Sequence, residues 1–113
     1  MSLNKIFYKV EKHLLKQNKQ ALGAQGKCKY RTSSGLSCAV GCLIPDEMYT
    51  TKLENRGASA LPRNILVPIV GVQRDKVERK LKLLNDLQAM HDGSLPEKWP
   101  THLADIKTEF GIN

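Results

Sequence analysis

Apolar residues recur at helical spacing in three stretches of the chain. Leu3, Ile6, Phe7, Val10, Leu14 and Ala21 are three or four positions apart, and Ser2 stands where an N-cap would, so residues 3 to about 21 are expected to form an amphipathic helix. Val77, Leu81, Leu84 and Leu87, with Met90 or His91, mark a second helix over 75 to 91 with Asp75 as its cap. Leu83 beside Leu84 widens its apolar face, which suits a central helix, and Asp92-Gly93 is a stop signal. Trp99, Leu103, Ile106 and Phe110 fall on one side of a last helix from Pro100 to Gly111.

The pattern changes between Lys27 and Leu53. Cys28 and Tyr30 alternate with Lys27, Lys29 and Arg31, as in a strand covered on one face, and Leu36 to Ala39 can return across the turn Thr32-Ser33-Ser34-Gly35. A β-hairpin is therefore expected here. Pro45 ends the apolar run from Cys38 to Ile44, and Asp46 and Glu47 read as the acidic first turn of a short helix through Met48, Tyr49 and Leu53. From Asn55 to Val72 scattered Pro and Gly predict an irregular connection with a short strand or helical turn. The resulting expectation is one α+β domain over residues 1–113, mostly helical, with one β-hairpin packed on a three- to four-helix core.

The pattern C-x-Y-R, a turn, then G-L-x-C-A-x-G-C-L-I-P-D-E-x-Y, followed by L-x-x-L-Q-x-M-H-D and a Trp-Pro, resembles a family of small uncharacterised proteins from phages and bacterial genomes. The resemblance runs from Val10 to the C-terminus. It implies a phage-like setting and carries no activity with it.

Composition narrows the classes. With 113 residues, 41% hydrophobic and 26% charged, the chain suits one ordinary globular core. No apolar run approaches the roughly 20 residues of a membrane span, and Met-Ser-Leu-Asn-Lys lacks a signal-peptide core. No membrane association is expected, and the expected location is the cytoplasm, the host's if the protein is phage-encoded. Three cysteines, an odd number, are expected as thiols.

Charge changes the picture most. The formal net charge is +7, and all of it lies in the first 31 residues, where Lys5, Lys9, Lys12, Lys16, Lys19, Lys27, Lys29 and Arg31 face Glu11 alone. At about 100° per residue the first five form a narrow stripe about 20 Å long, opposite the apolar arc. Such a stripe is ordinarily a solvated helix face; its sharper reading is an anion or nucleic-acid face extended by Lys27, Lys29 and Arg31.

The remaining constellations are weaker. Cys28, Cys38 and Cys42, with His13 or His91 as a fourth ligand, contain only one of the two short knuckles usual for structural zinc, so buried metal-free thiols are expected and no cofactor is assigned. Cys38 or Cys42 with His91-Asp92 lacks a local nucleophile signature, and a His-Asp pair at a helix end equally suits capping. Asp46 and Glu47 point to different faces and suit a helix start, and lone His13 and His102 carry no site. Neither a phosphate loop nor a nucleotide fingerprint occurs. The expectation is a non-enzymatic accessory or regulatory protein that binds a macromolecule. A protein partner ranks first, nucleic acid on the basic face is the alternative, and a zinc-stabilised adaptor is a further one. Aromatic residues at 5% leave few platforms for stacking bases.

Overall fold

Four α-helices carry the core of the computed structural model, which describes residues 1–113. They are α1 (Leu3–Gln17), α2 (Arg63–Val70), α3 (Arg74–Gly93) and α4 (Trp99–Glu109), with five single 3₁₀ turns in the connections. No helix is long and apolar enough to cross a membrane.

The Ser2 side chain caps α1 by accepting the Lys5 N–H at 3.1 Å. Ile6, Phe7, Val10 and Leu14 are fully buried. The helix ends earlier than its apolar spacing predicts, because Asn18 adopts a left-handed conformation (φ 51°) and its N–H closes on the Leu14 carbonyl. Asparagine tolerates that conformation better than most side chains. Lys19 and Ala21 therefore lie beyond the helix.

α3 is central and packs on α1, α2 and α4. Leu83, Leu84 and Leu87 are fully buried. Asp75 sits in its first turn without capping it, and Gly93 belongs to the helix, which ends at Ser94. Trp99 opens α4, fully buried, donating its indole N–H to the Ser94 carbonyl and stacking on His91. Truncating such a side chain to alanine typically costs about 3–5 kcal/mol.

The segment from 63 to 70, expected to be irregular, is α2. It accommodates Pro68 near its C-terminal end, and the Met1 ammonium donates to the carbonyls of Pro68 and Ile69, which have no intrahelical partner in the last turn. Residues 46–53 form two 3₁₀ turns, Asp46–Met48 and Thr51–Leu53, in place of one short helix.

The expected α+β class is corrected: there is no strand and no sheet. Thr32 to Gly35 does turn the chain, and Arg31 meets Ser37 in one antiparallel bridge, but the ladder does not grow. Three features stop it. The N–H groups of Tyr30 and Arg31 donate to the Glu54 carboxylate at 3.0 and 3.3 Å, and Cys28 bridges to Leu22 on the other side. Beyond Cys38 the chain curls into a 3₁₀ turn over Gly41–Leu43, crossing so close to Tyr30 that a Cβ on Gly41 would lie 2.0 Å from the Tyr30 carbonyl oxygen. The Tyr30 N–H that a longer ladder would have used goes to a side chain, while the Tyr30 carbonyl still takes the Cys38 N–H at 3.2 Å.

Candidate functional site

Two regions hold the residues singled out by sequence: a polar knot at the C-terminal end of α3, and the exposed face of α1.

The knot forms where the loop after α1 meets the last turn of α3. His91 is fully buried. Its Nε2 lies 3.0 Å from the Ala21 amide nitrogen and its Nδ1 2.8 Å from Asp92 Oδ1. A backbone N–H only donates, so Nε2 is the acceptor, and the neutral ring carries its proton on Nδ1 and donates to Asp92. Gln88, one turn earlier on α3, donates to the same Asp92 oxygen at 2.7 Å and accepts the Val40 N–H at 3.0 Å. Gln20 donates to the carbonyls of His91 and Ser94. Burial pushes the Asp92 carboxyl upward, but His91, the nearby Cys28 thiol and Gln88 more than offset this and hold it below the usual range.

Cys28, His91 and Asp92 bring a sulfur, a nitrogen and an oxygen within 4.8 Å of one another, the single such group of metal-ligand types. The set fits a metal poorly. Coordination through Nδ1 would move the imidazole proton to Nε2, where it would face the Ala21 N–H, donor against donor, in a buried place. The three sulfurs of the sequence pattern do not gather either. Cys38 Sγ accepts the Gly41 N–H at 3.2 Å, Cys42 donates to the Ala39 carbonyl at 3.1 Å, and Cys28 joins His91 and Asp92. His13 is bound to the Ser37 carbonyl.

Thiol chemistry finds no better setting. Burial pushes Cys38 and Cys42 up to about 12; burial and then the Asp92 carboxylate push Cys28 to about 11. Thiols so placed stay protonated at neutral pH and are poor nucleophiles. Both ring nitrogens of His91 are engaged, so it abstracts no proton from any of them. An open cleft of about 320 Å³ beside the knot is lined by Cys28, Tyr30, Cys38, Asn85, Gln88 and Asp92 among others. Several of those groups are spent: Tyr30 donates its hydroxyl to the Arg56 carbonyl, and Gln88 uses both ends of its amide.

The face of α1 is the opposite case. Lys5, Lys9, Lys12 and Lys16 are all exposed, within about 60° of one another around the helix and about 16 Å along it. None forms an ion pair; the salt bridges of the protein join Arg31 to Asp46, Lys82 to Asp86 and Glu109, and His91 to Asp92. Lys19 is exposed just past Asn18, and Lys27 and Lys29 are exposed on the loop that pairs Leu22 with Cys28. Arg31 stands apart from this set. Its guanidinium binds Asp46 and the Ile44 carbonyl and lies over the Tyr49 ring, 5.4 Å from the centroid. Asp46, expected to serve a helix start, is its ion-pair partner.

Sequence reasoning missed the polar cross-links: Gln17 with Ser37, Gln20 with α3, and Glu54 with Tyr30, Arg31 and Tyr49. Only Gln88 and Asp92, four apart on one helix, carried a local signal. Comparison with protein-family models, with curated proteins and with solved structures found no match, so function is read from this geometry alone.

Proposed function

We propose that the protein is a non-enzymatic accessory or regulatory protein, of the phage-associated kind its cysteine pattern resembles, and that it binds nucleic acid through the lysine face of α1. The single observation carrying this reading is the row Lys5, Lys9, Lys12 and Lys16, exposed and without acidic partners, in the segment that holds the whole net charge. An uncompensated row of ammonium groups attracts a polyanion and releases its condensed counterions on contact. A non-enzymatic role agrees with the knot: its imidazole is engaged at both nitrogens and its thiols are held protonated.

Fluorescence anisotropy with a labelled DNA of about 20 residues tests this. The variant Lys9→Glu/Lys12→Glu/Lys16→Glu should lose at least about 100-fold in affinity at low salt while melting as the parent does. Equal affinity of parent and variant would remove the proposal.

A second reading, a protein partner, has its own observation. Leu66, Val67, Val72 and Val77 line an open groove between α2 and α3 flanked by Arg63 and Arg74, and Val72 is 69% exposed. Capture of a partner that survives nuclease treatment and is lost in Val72→Glu would favour this reading.

A further inference from the structure

Resting on the nucleic-acid reading above, we propose that the lysine face of α1 takes duplex in preference to single-stranded nucleic acid and holds it by the phosphate backbone, without choosing a base sequence. Two observations carry this: what the face contains, and where the aromatic rings are.

The exposed stripe of α1 presents ammonium groups alone. Lysine offers a compact point charge on a flexible stem, which reaches guanine with less geometric selectivity than arginine's planar fork and lacks the amide with which asparagine and glutamine read adenine. Of the two amides on the helix, Gln17 is tied at both ends to Ser37, and Asn4 lies about 100° around the helix from Lys5, off the lysine row. Contacts of this kind set position on the backbone and carry no base information.

Single-strand binders add aromatic platforms on which unpaired bases stack. All six aromatic side chains of this protein are committed elsewhere. Phe7, Tyr30, Trp99 and Phe110 are buried. Tyr8 lies under the Lys107 ammonium and donates its hydroxyl to the Asn113 carbonyl. Tyr49 lies under Arg31 and donates to Glu54. The exposed imidazole of His102 belongs to α4, outside the stripe. With stacking removed, charge density decides the preference. A duplex carries about one charge per 1.7 Å of axis, and each phosphate neutralised contributes about −0.9 to the slope of log affinity against log salt, compared with about −0.7 on a single strand.

Four lysines then give slopes of about −3.6 and −2.8. Raising salt from 50 to 200 mM should weaken duplex binding about 150-fold and single-strand binding about 50-fold. If the two lines meet near 1 M, where the electrostatic part vanishes, the duplex is favoured about tenfold at 50 mM.

The test measures anisotropy titrations of the whole protein against two 16-base-pair DNA duplexes of unrelated sequence and against their separated strands, at 50, 100 and 200 mM salt. The Lys9→Glu/Lys12→Glu/Lys16→Glu variant is carried through every arm. The expected result is tighter duplex binding with the steeper slope, agreement of the two sequences within about threefold, and loss in the variant. Single strands bound equally or more tightly, with the variant still defective, would overturn the duplex inference and leave the lysine reading standing. A tenfold preference between the two duplexes would overturn backbone-only recognition. Absence of binding in all arms, or binding that ignores the triple substitution, would sink the underlying reading and this inference with it.

Discussion

The knot at the end of α3 and the lysine face of α1 are both dense in polar side chains, and they treat those side chains in opposite ways. At the knot, the polar groups engage one another and neighbouring parts of the fold. His91 uses both nitrogens, Gln88 uses both ends of its amide, and Asp92 accepts from the two of them. On α1 four ammonium groups stand in solvent without a partner. A buried polar group left unpaired costs far more than an exposed one, so the buried imidazole of His91 has to be satisfied at both nitrogens and the α1 lysines need no partner. Residue types that suggest catalysis or metal binding in a sequence can therefore serve as internal fasteners, while the groups left over are those available to a partner.

Substitutions can break that contrast, and the largest effect is expected at Gly41→Ala. Its new Cβ would meet the Tyr30 carbonyl oxygen at 2.0 Å, backbone against backbone, so the loop over the knot has to shift. A loss of about 4 kcal/mol or more in urea denaturation is expected, or failure to fold. His91→Leu comes next, at about 2–4 kcal/mol, because it strands the buried Ala21 N–H and removes the ring stacked on Trp99. The folded fraction of His91→Leu should bind DNA as the parent does; a parallel loss of both properties would show that the two regions are coupled.

Asp92→Asn should cost about 1–2 kcal/mol at neutral pH, since hydrogen bonds to a charged acceptor are replaced by weaker ones. The sign of the pH effect follows from the direction of the shift. The Asp92 carboxyl is lowered in the folded state, so its contribution is present above the ordinary carboxylate value and is lost as pH falls through the lowered one. Stability measured between pH 5 and pH 2 should decline more steeply in the parent than in the variant. Alkylation of Cys28 sharpens the same point more gently. With the thiol pushed from 9.0 to about 11, it should react at pH 8 about 100-fold more slowly than the same residue in the unfolded chain. The smallest effect on stability belongs to Lys9→Glu/Lys12→Glu/Lys16→Glu, within about 1 kcal/mol, much of it from Lys16 in the last turn of α1, where a positive charge favours the helix dipole. A larger loss would mean that the lysine face also holds the fold together.

Much of the helical architecture was legible because it is local. The spacing of Ile6, Phe7, Val10 and Leu14, the cap at Ser2, and the run Leu83, Leu84 and Leu87 act within one or two turns of a helix. The lysine row was legible for the same reason, being a helical repeat whose exposure follows from the burial of the opposite arc. The knot was not. His91 and Asp92 drew attention as residue types, but their partners, Ala21 and Gln20, lie about 70 residues away, and no periodicity carries that information. The hairpin failed on the same account. Its turn and alternation were present, but Glu54, more than 20 residues on, took the Tyr30 N–H that would have bonded to the return strand at Cys38.

What the chain determined by itself, then, is its set of helix-forming stretches, their buried sides, and the concentration of positive charge in the first 31 residues. These depend on interactions between near neighbours and on counting. Only the tertiary structure decided that residues 27–39 stay a pair of isolated bridges, that the three thiols part company, that Arg31 turns inward, and that the imidazole of His91 is occupied at both nitrogens. Each is settled by competition among distant groups for one hydrogen bond or one small space, and the winner depends on where packing brings the rival groups.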